Sequence, residues 1–339
     1  MAEVQSKKTN PKVSLKKIGF ILGGIVLIIL VTVLALPFIW PLPLEGKLKT
    51  NRQVATEYAQ DGEFITVNGY STYVIDKNKD SQKVIVFVHG FGASAETWRT
   101  HLDYFVQKGY RAIALDLKGF GFSDRDWNSS YSHKSQADLI AGILEQKQIP
   151  KAVFIGHSMG VSVLLNYVNK YADSVIGYVF IDGANIVNNT NSPLPTSLIG
   201  NPYIKRVARH YVQNTFSLSS FDDLLKSALF VDNIVTEDYK KQYVYPLQIN
   251  NWDEGLLAVT RDSQENAVSD DSIKKITQPT IIIWGKQDEW IPVEKGIAFA
   301  EKIPQSQLYV IPEVGHLPMD ESPKLFRAIV EEFLSKLPF

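Results

Sequence analysis

The stretch from Ala152 to Tyr171 turns from an apolar run, "AVFI", into a helical pattern, "VSVLLNYVNKY", across five residues, "GHSMG". A strand passes into a helix over so short a corner only where the backbone comes close to itself. Gly156 and Gly160 remove the Cβ atoms that would collide there. The residue at the apex is Ser158. A strained turn points its hydroxyl out of the sheet, beside the N–H groups and positive dipole end of the helix that follows. Such a unit belongs in a layered structure, with helices packed against the faces of a sheet.

The rest of the chain supplies the layers. "KVIVFVHG", "YRAIALDLKG", "VIGYVFIDG", "TIIIWG" and "QLYVI" are apolar runs without polar alternation, the mark of strands buried on both faces. Between them lie amphipathic stretches such as "SAETWRTHLDYFVQKG" and "SQADLIAGILEQKQ". "EFITVNGYSTYVID" predicts a hairpin turning at Asn68-Gly69. The reading is an α/β domain over residues 62–339 with a mostly parallel sheet. Its rhythm fails at about 185–270, a helical, aromatic-rich stretch too long for an ordinary connection and therefore read as a lid or cap.

The N-terminus carries Lys7, Lys8, Lys12, Lys16 and Lys17, followed by Ile18 to Trp40 without a charged residue. At about 1.5 Å per helical residue such a segment spans roughly 30–35 Å, the thickness of a bilayer core. The expectation is a cytoplasmic basic tail over 1–17, a transmembrane helix over 18–40 and a stalk over 41–61. Trp40 then marks the interface, and the folded domain lies outside the cytoplasm at the cell membrane. A cleaved signal peptide is the competing reading.

A serine hydroxyl needs a base to take its proton and a third group to orient that base. Asp288 follows "TIIIWG", and His316 follows "QLYVI", in the order Ser, Asp, His. "VHGFGAS" follows the first buried strand, where the N–H of Phe91, with that of Met159, can receive an oxyanion. Asp182, after "VIGYVFI", is a second candidate for the acid. Trp98 either lines the pocket or packs helix on sheet. His89, His157 and Asp116 read as residues that hold loops by hydrogen bonds.

The stretches "VFVHGFGAS", "ALDLKGFGFSD", "FIGHSMG", "IIIWGKQDEWIP" and "VGHLPMDESP" resemble the α/β-hydrolase family, from about Glu63 to Phe339. The resemblance implies an eight-stranded, mostly parallel sheet with helices on both faces, and a helical cap after "VIGYVFID". Val161 stands where many members carry a further glycine.

Composition narrows the chemistry. With no cysteine, disulfides, thiolate zinc sites and thiol catalysis are excluded, and a net charge of −1 offers no field for nucleic acid. "GFGFSD" lacks the third glycine of a dinucleotide fingerprint, and no helix shows metal-ligand spacing, so neither cofactor nor metal is expected. The expected function is a membrane-anchored serine hydrolase, carboxylesterase- or lipase-like, acting on a small acyl substrate, lipid-derived esters included. An acyltransferase, a C–C bond hydrolase and a peptidase use the same triad. A non-catalytic ligand-binding protein is the alternative of another class.

Overall fold

The computed structural model describes residues 15–339 apart from 45, 60, 184–195, 217–219 and 263–267. Its eight strands are β1 (Glu63–Val67), β2 (Tyr70–Lys77), β3 (Val84–Val88), β4 (Arg111–Leu115), β5 (Ala152–His157), β6 (Val175–Ile181), β7 (Thr280–Gly285) and β8 (Gln307–Ile311). They form one sheet in the order β1-β2-β4-β3-β5-β6-β7-β8. The pairs of β1 with β2 and β2 with β4 are antiparallel, and every other pair is parallel. Asn68 and Gly69 both take positive φ, +50° and +81°, as the two-residue turn between β1 and β2 demands.

The helices are α1 (Leu15–Ile39), α2 (Asn51–Tyr58), α3 (Arg99–Gln107), α4 (His133–Gln146), α5 (Met159–Tyr171), α6 (Pro202–Thr215), α7 (Ser220–Ser227), α8 (Glu237–Val244), α9 (Trp252–Asp262), α10 (Asp270–Ile273), α11 (Val293–Ala300), α12 (Pro318–Glu321) and α13 (Pro323–Ser335). Alternate residues of a strand face opposite sides of the sheet. Val84, Val86 and Val88 of β3 accordingly pack with α4, α5 and α11 on one side. Ile85 and Phe87 pack with α3 and α13 on the other. Each such side chain, fully buried, contributes about 1.5–3 kcal/mol of transfer free energy.

Between β6 and α10 the chain leaves the sheet to form α6, α7, α8 and α9. Asn201 caps α6 by accepting from the N–H groups of Tyr203 and Ile204, with Pro202 in the first turn. Buried Asp253 of α9 accepts from Arg209 Nε at 2.7 Å and Gln213 Nε2 at 2.9 Å of α6, which pins the two helices together.

The N-terminal expectation is corrected. Residues 15–39 are helical, but among the described residues no helix is long and apolar enough to cross a membrane. The end of α1 instead lies on α6. The Tyr203 hydroxyl donates to the Val33 carbonyl at 3.1 Å, and Arg206 Nη2 and His210 Nε2 each donate to the Trp40 carbonyl at 3.2 Å. Phe38 packs against the Tyr203 ring. Between Val33 and Trp40 the end of the helix is thus held by side chains of α6. The expected location at the cell membrane, with the domain outside the cytoplasm, falls with the span. Residues 1–14 of the expected basic tail lie outside the described residues.

Candidate active site

The corner between β5 and α5 has the geometry its glycines announce. Ser158 takes φ +51° and ψ −118°, a strained conformation of the kind that persists only where surrounding structure enforces it. A Cβ on Gly160 would lie 2.5 Å from the Val88 carbonyl oxygen, and one on Gly156 would lie 2.7 Å from Leu164 Cδ1. A Cβ on Gly90 would meet Ser158 Cβ at 3.0 Å, so the loop after β3 comes directly against the serine. That loop carries Phe91, and Met159 opens α5, where a first-turn N–H has no intrahelical acceptor.

His316 and Asp288 meet the serine from the ends of the next strands. His316 Nε2 lies 3.0 Å from Ser158 Oγ, and its Nδ1 lies 2.7 Å from Asp288 Oδ2. Asp288 Oδ1 accepts the N–H groups of Trp290 and Ile291 at 2.8 and 2.9 Å, fixing the carboxylate. His157 Nε2 donates to the His316 carbonyl at 2.8 Å, the His316 N–H donates to the Ala228 carbonyl at 2.7 Å, and the Trp290 ring lies 5.1 Å from the imidazole. With both residues buried, water does not compete for the hydrogen bonds between them.

Asp182 is also at the site. It takes φ +40°, is fully buried, and its Oδ1 accepts the Gly285 N–H at 2.9 Å. Ligand atoms of Asp182, Asp288 and His316 all lie within 4.8 Å of one another. That grouping has the donor types of a metal centre, but the His316 ring is committed at both nitrogens, to Asp288 and to Ser158. Burial, reinforced by the Asp288 charge, pushes the Asp182 carboxyl well above its ordinary range.

The flanking residues hold loops. His89 Nδ1 donates to the Gly90 carbonyl at 2.7 Å while its Nε2 accepts the Leu117 N–H at 2.9 Å, and burial pulls its pKa down to about 4. Asp116 accepts the N–H groups of Ala95 and Phe122, each at 2.6 Å. Trp98 both packs on Phe87 and lines the cavity.

Ser158 and His316 open into a cavity of about 450 Å³. Phe91 and Phe120 form its walls with Leu224, Leu225, Leu247 and Trp252 from the cap. Sequence reasoning missed the contacts of the His316 segment with the cap, and it missed Arg125, whose place on this wall no local motif announces.

Residues 83–323 match the model of a family described by the alpha/beta hydrolase fold. The chain belongs to the α/β-hydrolase family. This hydrolase is 27% identical over 274 residues to the uncharacterized hydrolase YugF of Bacillus subtilis (strain 168), covering 79% of this chain and 96% of that one. Among solved structures it is similar to a meta-cleavage product hydrolase from Pseudomonas fluorescens IP01, at 26% identity and a TM-score of 0.68, covering 81% of this chain and 98% of that one. An esterase from Exiguobacterium antarcticum shares the fold at 23% identity and a TM-score of 0.65, covering 81% of this chain and all of that one.

Proposed function

We propose that this α/β hydrolase cleaves a carboxylic ester or related acyl bond of a small molecule through an acyl-enzyme on Ser158. The observation that carries the reading is the hydrogen-bonded line from Asp288 through His316 to Ser158 Oγ, at the wall of an apolar cavity. His316 Nε2 takes the hydroxyl proton as Oγ bonds to the carbonyl carbon. Asp288 holds the Nδ1–H and stabilises the imidazolium, and the N–H groups of Phe91 and Met159 receive the negative oxygen. Collapse expels the alkoxide, which takes the proton from His316. Water, activated by the same ring, then attacks the acyl carbon and releases the acid. Base, nucleophile and anion-binding groups all come from the chain, so the reading calls for no cofactor.

Hydrolysis of a carbon–carbon bond next to a ketone is a second reading, supported by the similarity to the Pseudomonas meta-cleavage product hydrolase. Fold alone does not choose between the two chemistries.

The test is intact-mass labelling with a serine-reactive fluorophosphonate, followed by a p-nitrophenyl ester chain-length series. One adduct at Ser158, absent in Ser158→Ala, with turnover of at least one ester is the expected result. A folded protein that takes no adduct would overturn the reading in favour of a binding protein.

A further inference from the structure

Arg125 is the one residue of permanent charge among the described residues lining the catalytic cavity, and no aspartate or glutamate lines it. His89 and His157 on the same wall are held neutral by burial. The guanidinium is set in place by two backbone carbonyls, that of Ser123 to Nη1 at 2.8 Å and that of Gly121 to Nη2 at 2.6 Å. These use two of its five N–H donors; Nε is buried, and each Nη keeps a second N–H.

Nearby acids are committed to other donors. Asp124 accepts from Asn51 Nδ2 at 2.8 Å and the Ser71 N–H at 3.2 Å, and Asp116 accepts the N–H groups of Ala95 and Phe122. Among the described residues no carboxylate forms an ion pair with Arg125. Desolvation pulls the arginine's pKa down, and the half-buried residue lines the cavity.

Desolvation of this guanidinium outweighs the attraction of the nearby Asp116 and Asp124 carboxylates, so an anion brought into the cavity would offset a cost the fold leaves unmet. We propose that Arg125 forms an anion subsite of the catalytic cavity, selecting acyl substrates that carry a carboxylate away from the scissile carbonyl. The carboxylate accepts charge-assisted hydrogen bonds from the guanidinium, while the apolar walls take the chain that joins it to the reacting carbonyl. The proposal rests on the acyl-hydrolase reading for its substrate class and on the cavity alone for the subsite.

The experiment separates the two. Calorimetry with Ser158→Ala compares monomethyl adipate with methyl hexanoate, which differ by the distal carboxylate. The same comparison is made in Ser158→Ala/Arg125→Gln and in Ser158→Ala/Arg125→Lys. The expected result is binding of monomethyl adipate at least about tenfold tighter than of methyl hexanoate, abolished by glutamine and kept in part by lysine, which retains the charge. Equal binding of the two esters, or a preference that survives in a folded Arg125→Gln variant, would overturn the subsite. In parallel, the otherwise unaltered enzyme is assayed on p-nitrophenyl hexanoate and the mono-p-nitrophenyl ester of adipic acid. If the carboxylate is preferred in binding but neither ester turns over, the subsite stands and the ester-hydrolase reading falls.

Discussion

Asp182 and Asp288 are the same residue type within a few ångströms of one histidine, and their hydrogen-bond environments differ. Asp288 accepts two backbone N–H groups and the Nδ1–H of His316. Asp182 accepts one N–H and is fully buried, and the neighbouring anion pushes it towards the neutral acid. The two substitutions to asparagine should therefore part company. Asp182→Asn exchanges a neutral acid for a neutral amide of the same shape and is expected to keep kcat within about threefold, whereas Asp288→Asn, which removes the anion that orients the imidazole, is expected to lower it about 10⁴-fold. Steady-state kinetics on one ester decide it. A large loss in Asp182→Asn with Asp288→Asn nearly silent would assign the orienting role to Asp182.

At the level of elements, the cap is tied to the segment that carries the base. Phe230 donates its N–H to Glu321 Oε2 at 2.7 Å, Glu321 Oε1 accepts the Gly315 N–H at 2.8 Å, and the Tyr239 hydroxyl of α8 donates to Asp320 Oδ2 of α12 at 2.8 Å. These bonds connect residues far apart in the chain, so opening the cap must break them near His316. Tyr239→Phe removes one donor from a carboxyl whose pKa burial already raises to about 6. Hydrogen exchange in α8 should then quicken about tenfold, corresponding to about 1.4 kcal/mol of local opening, while β5 is unchanged. Uniform acceleration through the sheet would show that the bond serves global stability rather than cap closure.

Over the whole molecule, the sheet's order and the placing of its ends determine both the core and the response to pH. Asp116, buried at the end of β4, is raised to about 7 by desolvation. A carboxyl whose folded pKa lies above its unfolded value stabilises fully below about pH 4 and loses that contribution as pH rises through the folded value. The Asp116 contribution should therefore fall by about 1 kcal/mol between pH 6 and pH 8, read as the change in the unfolding free-energy difference between the unsubstituted chain and Asp116→Asn; denaturant unfolding of both at the two pH values measures it, and the difference cancels the opposite trend of the buried histidines. A difference between the two chains that does not change with pH would contradict this origin. By itself the sequence determined the alternation of buried strands and helices, the Asn68-Gly69 turn and the Ser158 corner. It also placed Asp288 and His316 at strand ends. All of these depend on neighbours in the chain: hydropathy, glycine and residue order act over a few positions. Only the tertiary structure decided which carboxylate faces His316. Asp182 and Asp288 follow paired parallel strands, Ile181 beside Ile283, so their loops emerge side by side and local patterning cannot rank them. It also decided that Arg125 lines the cavity and that α1 ends on Tyr203, Arg206 and His210. An apolar run announces its hydropathy locally, but its partners come from a cap far along the chain, and only folding brings them together.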